Sequence, residues 1–304
     1  MKRTRTVIVA ALASSLLVLT ACGGGSEATG ATASPSSSET IVIGSANFSE
    51  NVLLAEIYAQ ALEAQGVTVE RKLDLGSRED LVPQLQDGSI DLTPEYSGAL
   101  LTYFDDSTSA VSSADVYREL TEAVPEGLEV LDQSEAEDKD ALVVTEETAD
   151  KYNLFSISDL KDVAGQLTLG GPPEWKTRDD GVKGLKRVYG LDFGRFKTLD
   201  AGGTRTVASL KNGSIDAADI FTTDPNIATE GWVVLPDPNN LFAAQNVLPL
   251  IRSDKASDTV QNALYDVSNK LSTDKLTTMM VQVTMKEREP AEVAKEFLTT
   301  QGLV

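Results

Sequence analysis

Few residues in this chain are able to do covalent chemistry, and their types narrow its function. Its 304 residues include no histidine and one cysteine, Cys22. Ser–His and Cys–His nucleophilic catalysis and histidine-ligated metal sites are therefore excluded. No G-x-S-x-G, G-x-x-x-x-G-K or G-x-G-x-x-G run occurs. Paired carboxylates remain, at Asp105-Asp106 and Asp179-Asp180. Neighbouring acids in loops are as a rule solvated, so they give no catalytic pair. The expectation is a protein that binds without turnover, with no cofactor and no metal.

Cys22 closes Leu19-Thr20-Ala21-Cys22, which has the form of a lipobox. Ahead of it stand Lys2, Arg3 and Arg5, then an apolar run from Val7 to Leu19. That run is short of the ~20 residues a bilayer span needs and suits a secretory leader. Residues 1–21 are expected to be a signal peptide, with Cys22 the site of lipid attachment. Residues 22–40 are rich in Gly, Ser, Thr and Ala. They cannot bury enough apolar surface to order themselves and read as a tether. The expected location is the extracytoplasmic face of the cell membrane, held by the lipid at Cys22. A formal charge of −21 repels nucleic acid and anionic headgroups.

The elements that must position a binding site are legible through an internal repeat. Gln84-Leu-Gln-Asp-Gly-Ser-Ile-Asp91 resembles Ser209-Leu-Lys-Asn-Gly-Ser-Ile-Asp216. Upstream and in the same order, Leu73-Asp74-Leu75-Gly76-Ser77 resembles Leu199-Asp200-Ala201-Gly202-Gly203, and Ile41–Ser45 resembles Leu167–Gly171. Each half thus reads as strand, loop, helix, strand, loop, helix, strand, the order of a mainly parallel α/β sheet. In the first half a strand covers 40–44. A helix follows over 49–65, with Ser49 as N-cap and Gly66 as its stop. A second strand covers 67–73 and a second helix 80–86. The fold class expected is a two-lobed α/β clamshell with the ligand in the inter-lobe cleft. Lobe 1 takes 41–143 plus 246–304 and lobe 2 takes 144–245, joined near Ala141–Thr145 and Gln245–Ile251. Helices at 257–271, 272–286 and 290–301 should pack on the first lobe.

In open α/β sheets ligands lie beyond the carboxyl ends of the strands. The repeat places Gly44-Ser45, Gly76-Ser77-Arg78 and Tyr96-Ser97 there in one lobe. In the other it places Gly170-Gly171, Gly202-Gly203-Thr204 and Phe221-Thr222. Tyr96 and Phe221 are equivalents across the repeat, so their rings are expected to face each other over the cleft. The plain alternative is that both are core residues.

Gly44-Ser45-Ala46-Asn47-Phe48-Ser49-Glu50, Ile90-Asp91-Leu92-Thr93-Pro94-Glu95-Tyr96-Ser97-Gly98, Glu174–Gly181 and Phe221-Thr222-Thr223-Asp224 together resemble the glycine betaine/choline/carnitine-binding proteins of osmoprotectant ABC importers. The resemblance covers nearly all of the chain after residue 40. It implies a type II periplasmic-binding-protein-like clamshell, a small-molecule ligand, an ABC permease as partner, and a monomer. It also implies a box of aromatic rings around a trimethylammonium group, each ring contributing ~0.5–2 kcal/mol, and an arginine for any ligand carboxylate.

Carried over residue by residue, the resemblance implies ligand contacts from Ser45, Asn47, Phe48, Ser77, Tyr96, Ser97, Asp140, Glu174, Arg178, Thr204, Phe221 and Thr222. Phe221 stands where a tyrosine is usual. Ala46, Ala99, Asp140 and Val207 replace the lysine, threonine and two tyrosines of the family pattern. The alternative for Arg178 is a surface ion pair with Glu174, Asp179 or Asp180. Trp175 is a candidate replacement ring, with a surface or core tryptophan as the plainer reading. An acid at Asp140 and no lysine at Ala46 favour choline or another cationic amine over glycine betaine. The competing functions are a binding protein for a different cationic or aromatic solute, and a solute-sensing lipoprotein.

Overall fold

The computed structural model describes residues 40–304. The leader, Cys22 and the tether lie outside the described residues. Among the described residues, ten strands form two five-stranded sheets. The first contains β1 (Thr40–Gly44), β2 (Thr68–Lys72), β3 (Leu92–Tyr96), β4 (Leu128–Val130) and β10 (Val247–Arg252), in the order β2-β1-β3-β10-β4. The second contains β5 (Asp140–Val144), β6 (Thr168–Gly171), β7 (Arg195–Thr198), β8 (Ala217–Phe221) and β9 (Val233–Val234), in the order β7-β6-β8-β5-β9. Each sheet has three parallel strands at one side and an antiparallel strand against the third, β10 on β3 and β5 on β8. The repeat seen in sequence is thus a repeat of sheet topology.

The matching residues do matching work. Asp91 Oδ2 accepts from the Val42 amide at 2.9 Å, and its repeat equivalent Asp216 accepts from the Thr168 amide at 2.7 Å. Each carboxylate ties the turn before the third strand to the first strand, where the sheet hydrogen bonds begin. Gly44 and Gly170 end the first strand of each lobe. A Cβ on them would stand 2.6 Å from Ile90 Cδ1 and 2.5 Å from Ile215 Cδ1, again equivalent residues. Glycine there lets the loop isoleucine lie on the strand end.

Helix α1 (Ser49–Ala64) is buried along most of its length. It packs with Ile41, Ile43 and Leu92 and with residues of the helices Asp258–Ser268, Thr273–Met280 and Pro290–Gln301. The three C-terminal helices therefore do pack on the first lobe. Helix α2 (Arg78–Asp87) opens with the Ser77 amide donating to Asp80 Oδ2 at 2.9 Å, and helix α3 (Ser97–Phe104) follows β3 directly.

Three local expectations are corrected. Ser49 is the first helical residue, and the cap position is Phe48, which supplies no side-chain hydrogen bond. The strand divided at Val143 lies entirely in the second sheet, where Asp140 to Val144 pair with Phe221 to Ala217. The chain crosses between the sheets earlier, along 131–139, and returns along 235–246. There Asp138 N donates to Gln245 O at 3.1 Å, so the two crossings hold one another. The long helix that the repeat predicts after β6 is broken into short turns at Glu174–Lys176 and Val182–Gly184 and a π turn at Leu185–Tyr189. Gly181 carries the chain so close to Trp175 that a Cβ would stand 2.0 Å from its carbonyl oxygen.

Candidate functional site

The cleft between the two sheets is lined from the first lobe by Ala46, Asn47, Phe48, Asn51, Ser77, Arg78, Glu95, Tyr96 and Ala99. From the second come Asp140, Pro172, Glu174, Arg178, Ala201, Asp219 and Phe221, with Asp138 and Gln245 from the crossings. Most of these residues stand at carboxyl ends of strands or the first turns of the helices that follow.

The aromatic wall has three rings. Phe48 lies 6.0 Å from Tyr96 and 5.0 Å from Phe221, centroid to centroid. Tyr96 and Phe221 are thus linked by a first-lobe ring, Phe48. The alanines at 46 and 99 line the same wall and leave room beside it. Val207 instead packs with the apolar cluster around Leu210 and Ile215. Trp175 is fully buried in the second lobe's core and is not a wall of the cleft.

Charges in the cleft are mostly spoken for within the protein. Arg78 is buried and grips Glu95, with Nε–Oε1 at 3.0 Å and Nη2–Oε2 at 2.7 Å. Burial alone would lower its pKa, but Glu95 more than offsets that and keeps the guanidinium charged. Arg178 reaches across the cleft to Glu79 on α2, with Nε–Oε1 at 2.9 Å and Nη2–Oε2 at 2.8 Å. The partners of the alternative reading, Glu174, Asp179 and Asp180, are not its hydrogen-bond partners. Burial would raise the Glu79 pKa, yet the Arg178 hydrogen bonds and charge outweigh it and hold the carboxyl at about 2. Both arginine forks in the cleft are thus taken up by glutamates.

Carboxyl groups are in excess. Glu50 at the start of α1 accepts from the Tyr96 hydroxyl at 2.9 Å and from the Thr223 hydroxyl of the other lobe. Burial raises the pKa of Glu50, and raises that of neighbouring Asp138 well above the ordinary range. Asp138 Oδ1 accepts from Thr222 Oγ1 at 3.1 Å and from the Thr223 amide at 3.0 Å. Asp140 Oδ2 accepts from Gln245 Nε2 at 3.0 Å. Asp219 is buried on the adjoining strand, and burial with the Asp140 charge pushes its pKa well up. Asp180, expected in solvent, is 5% exposed, and burial and Asp140 push it to about 6.

Of the residues singled out by sequence, Asn47, Phe48, Ser77, Tyr96, Asp140, Glu174, Arg178 and Phe221 line the cleft. The other four do not. Ser45 is buried and its Oγ accepts from the Asp74 amide at 2.8 Å, joining the loops after β1 and β2. Ser97 Oγ donates to Ala244 O at 3.2 Å and accepts from the Asn246 amide at 3.0 Å, fastening α3 to the returning crossing. Thr222 Oγ1 donates to Asp138 and accepts from the Lys139 amide, and Thr204 is exposed at the start of its helix. The hydroxyls of Ser45, Ser97 and Thr222 fasten the loops that carry the cleft.

The repeat placed Arg78 at the cleft, where it lies, but sequence reasoning passed over Glu50, Asn51, Glu79, Glu95, Asp138, Asp219 and Gln245 as site residues. For two of them a signal existed. Glu95 directly precedes Tyr96, and Asp219 is the one charged residue in the apolar strand Ala217–Phe221.

Residues 39–300 match the family described as the substrate-binding domain of ABC-type glycine betaine transport systems. A glycine-betaine-binding protein of Pseudomonas aeruginosa is 29% identical over 282 residues, covering 88% of this chain and 89% of that one. A carnitine transport binding protein of Listeria monocytogenes is 27% identical over 274 residues, covering 86% and 87%. Among solved structures, a glycine betaine/carnitine/choline ABC transporter protein shares the fold with a TM-score of 0.67 at 24% identity, covering 86% of this chain and 99% of that one.

Proposed function

The chain belongs to the family of substrate-binding domains of ABC-type glycine betaine transport systems, and from that premise we propose that it captures a small amine cation of the quaternary, osmoprotectant class and hands it to a membrane permease. The observation that carries this reading is the cleft itself. Three aromatic rings stand beside an excess of carboxyl groups, and both arginines are already engaged by glutamates. Ring faces and carboxylates attract a cation. Engaged guanidinium groups offer little to a ligand carboxylate. Choline and related cations therefore fit better than glycine betaine.

The test is a melting-temperature and calorimetric panel on the purified protein with choline, glycine betaine, carnitine, proline betaine and plain amines. A ligand at 100 times its dissociation constant should add about 2.7 kcal/mol of stability, a shift of a few degrees. Choline or another simple cation shifting the melt more than glycine betaine is the expected outcome. A panel in which no quaternary amine binds would refute the ligand class.

The same reading includes the membrane anchor: residues 1–21 are removed, Cys22 is lipidated, and the binding domain works as a monomer on the extracytoplasmic face. Its support is the Leu19-Thr20-Ala21-Cys22 run after a short apolar stretch. Cys22→Ala should move the protein from the membrane fraction to the soluble fraction. Retention of that variant at the membrane would disprove anchoring through Cys22.

A further inference from the structure

Asp140 begins β5 and is paired directly with Phe221 at the end of β8; Leu142 is paired with Asp219. Side chains two apart on a strand share a face, and directly paired residues share it too. Asp219, Phe221 and Asp140 therefore project from one face of the second sheet, and all three line the cleft. The two carboxyls are neighbours, and Asp140 acts on Asp219 through both charge and side-chain hydrogen bonding. Asp219 is 1% exposed, and its Oδ1 has no hydrogen-bond partner among the described residues. Such a buried acceptor is unusual in folded proteins, because its lost hydration is not replaced. Around it, the Arg178 fork is occupied by Glu79 and the Gln245 amide nitrogen by Asp140. The protein thus holds two neighbouring carboxyl groups next to the Phe221 ring, with neither the Arg178 fork nor the Gln245 amide nitrogen turned to Asp219.

We propose that Asp219 and Asp140 form a subsite for an N–H-donating cationic group of the solute, a primary or secondary ammonium or a guanidinium, held beside the aromatic wall. The inference rests on the binding-protein reading above and refines its ligand class. A quaternary ammonium has no N–H and is suited to the rings at Phe48, Tyr96 and Phe221. The carboxyl pair needs a donor. An N–H cation supplies the hydrogen bond that Asp219 Oδ1 lacks, and its charge lets both carboxyls ionise side by side. Ligands that carry both groups use both parts of the cleft, and anions are disfavoured.

The experiment compares three probes by calorimetric titration at about pH 7.5, where aliphatic amines are protonated. They are (4-aminobutyl)trimethylammonium, butyltrimethylammonium, which lacks the N–H group, and agmatine, which lacks the quaternary one. In the unaltered protein the aminobutyl probe should bind at least about ten-fold more tightly than the butyl probe, the factor expected of a charge-assisted hydrogen bond. In Asp219→Asn the ratio should fall to within about two-fold, as an amide replaces one charge of the pair. Asp140→Asn gives the second reading, should the first variant fold poorly. Equal binding of the two trimethylammonium probes by the unaltered protein, or a ratio unchanged in both variants, overturns the subsite and leaves the quaternary-amine reading standing. Agmatine binding while neither trimethylammonium probe does keeps the subsite and removes the quaternary reading. Binding of none of the three overturns the subsite, and the osmoprotectant panel then decides the broader function separately.

Discussion

Asp180 shows how far a side chain's surroundings reset its chemistry. In the sequence it is one of two adjacent acids in a loop. In the fold it is buried, with Asp140 raising its pKa and Arg178 and Arg78 lowering it, and the balance leaves it at about 6. In the unfolded chain an aspartate titrates near 3.9. The folded form therefore holds a proton to higher pH than the unfolded form. Stability falls as pH rises between these two values and is level above the higher one. Asp180→Asn removes that loss. Its melting temperature should exceed that of the unaltered protein at neutral pH, and the gap should close as pH falls toward ~4. A gap independent of pH in paired melts would contradict this account. Glu79 runs the other way. Held at about 2 by Arg178, its contribution is full above the unfolded carboxylate pKa and is lost as pH falls toward 2.

At the scale of elements, the cleft depends on how α3 meets the returning crossing. Ser97 binds that segment through two hydrogen bonds, and Gly98 allows the contact. A Cβ on Gly98 would stand 2.5 Å from the carbonyl oxygen of Ala244. That atom belongs to backbone and cannot rotate away. Gly98→Ala should therefore destabilise the protein by about 1–3 kcal/mol despite the better helix propensity of alanine. Urea melts decide it, and a neutral or stabilising result would show that the crossing moves freely. The elements were largely legible in sequence. Period-2 and helical patterns mark β1, α1 and β2, and the repeat supplies β6 to β8. It failed between β6 and β7, where short turns replace the helix that the first lobe has and Gly181 lies against the Trp175 carbonyl. A repeat transmits topology, and local sterics settle each copy.

Across the described residues, two side-chain hydrogen-bonded contacts, Arg178 with Glu79 and Thr223 with Glu50, join the lobes over the cleft beside the Phe48–Phe221 ring contact. Ligand binding stabilises closure only through contacts that are better in the closed form. The Glu79–Arg178 pair adds a ligand-independent contribution, on the order of 1 kcal/mol for a partly exposed pair after solvent screening. Glu79→Gln should raise the radius of gyration of the ligand-free protein in solution scattering and weaken solute binding about 3- to 10-fold. Arg178→Gln should do the same, and the double variant should be no worse than either single one. Additive losses would mean that each residue acts on its own and that the pair is not a latch.

The sequence by itself determined the chemistry that is excluded, the doubled α/β architecture and the paired aromatic positions Tyr96 and Phe221. Those follow from composition, from short-range patterns and from a motif repeated along the chain, all of which are local. Only the tertiary structure decided which charges are free. Arg178 and Glu79 are 99 residues apart, and Glu50 and Thr223 are 173 apart. No spacing rule joins such residues. They meet because two similar sheets close on one another, and the burial that results engages both arginines of the cleft while leaving Asp219 Oδ1 without a hydrogen-bond partner among the described residues.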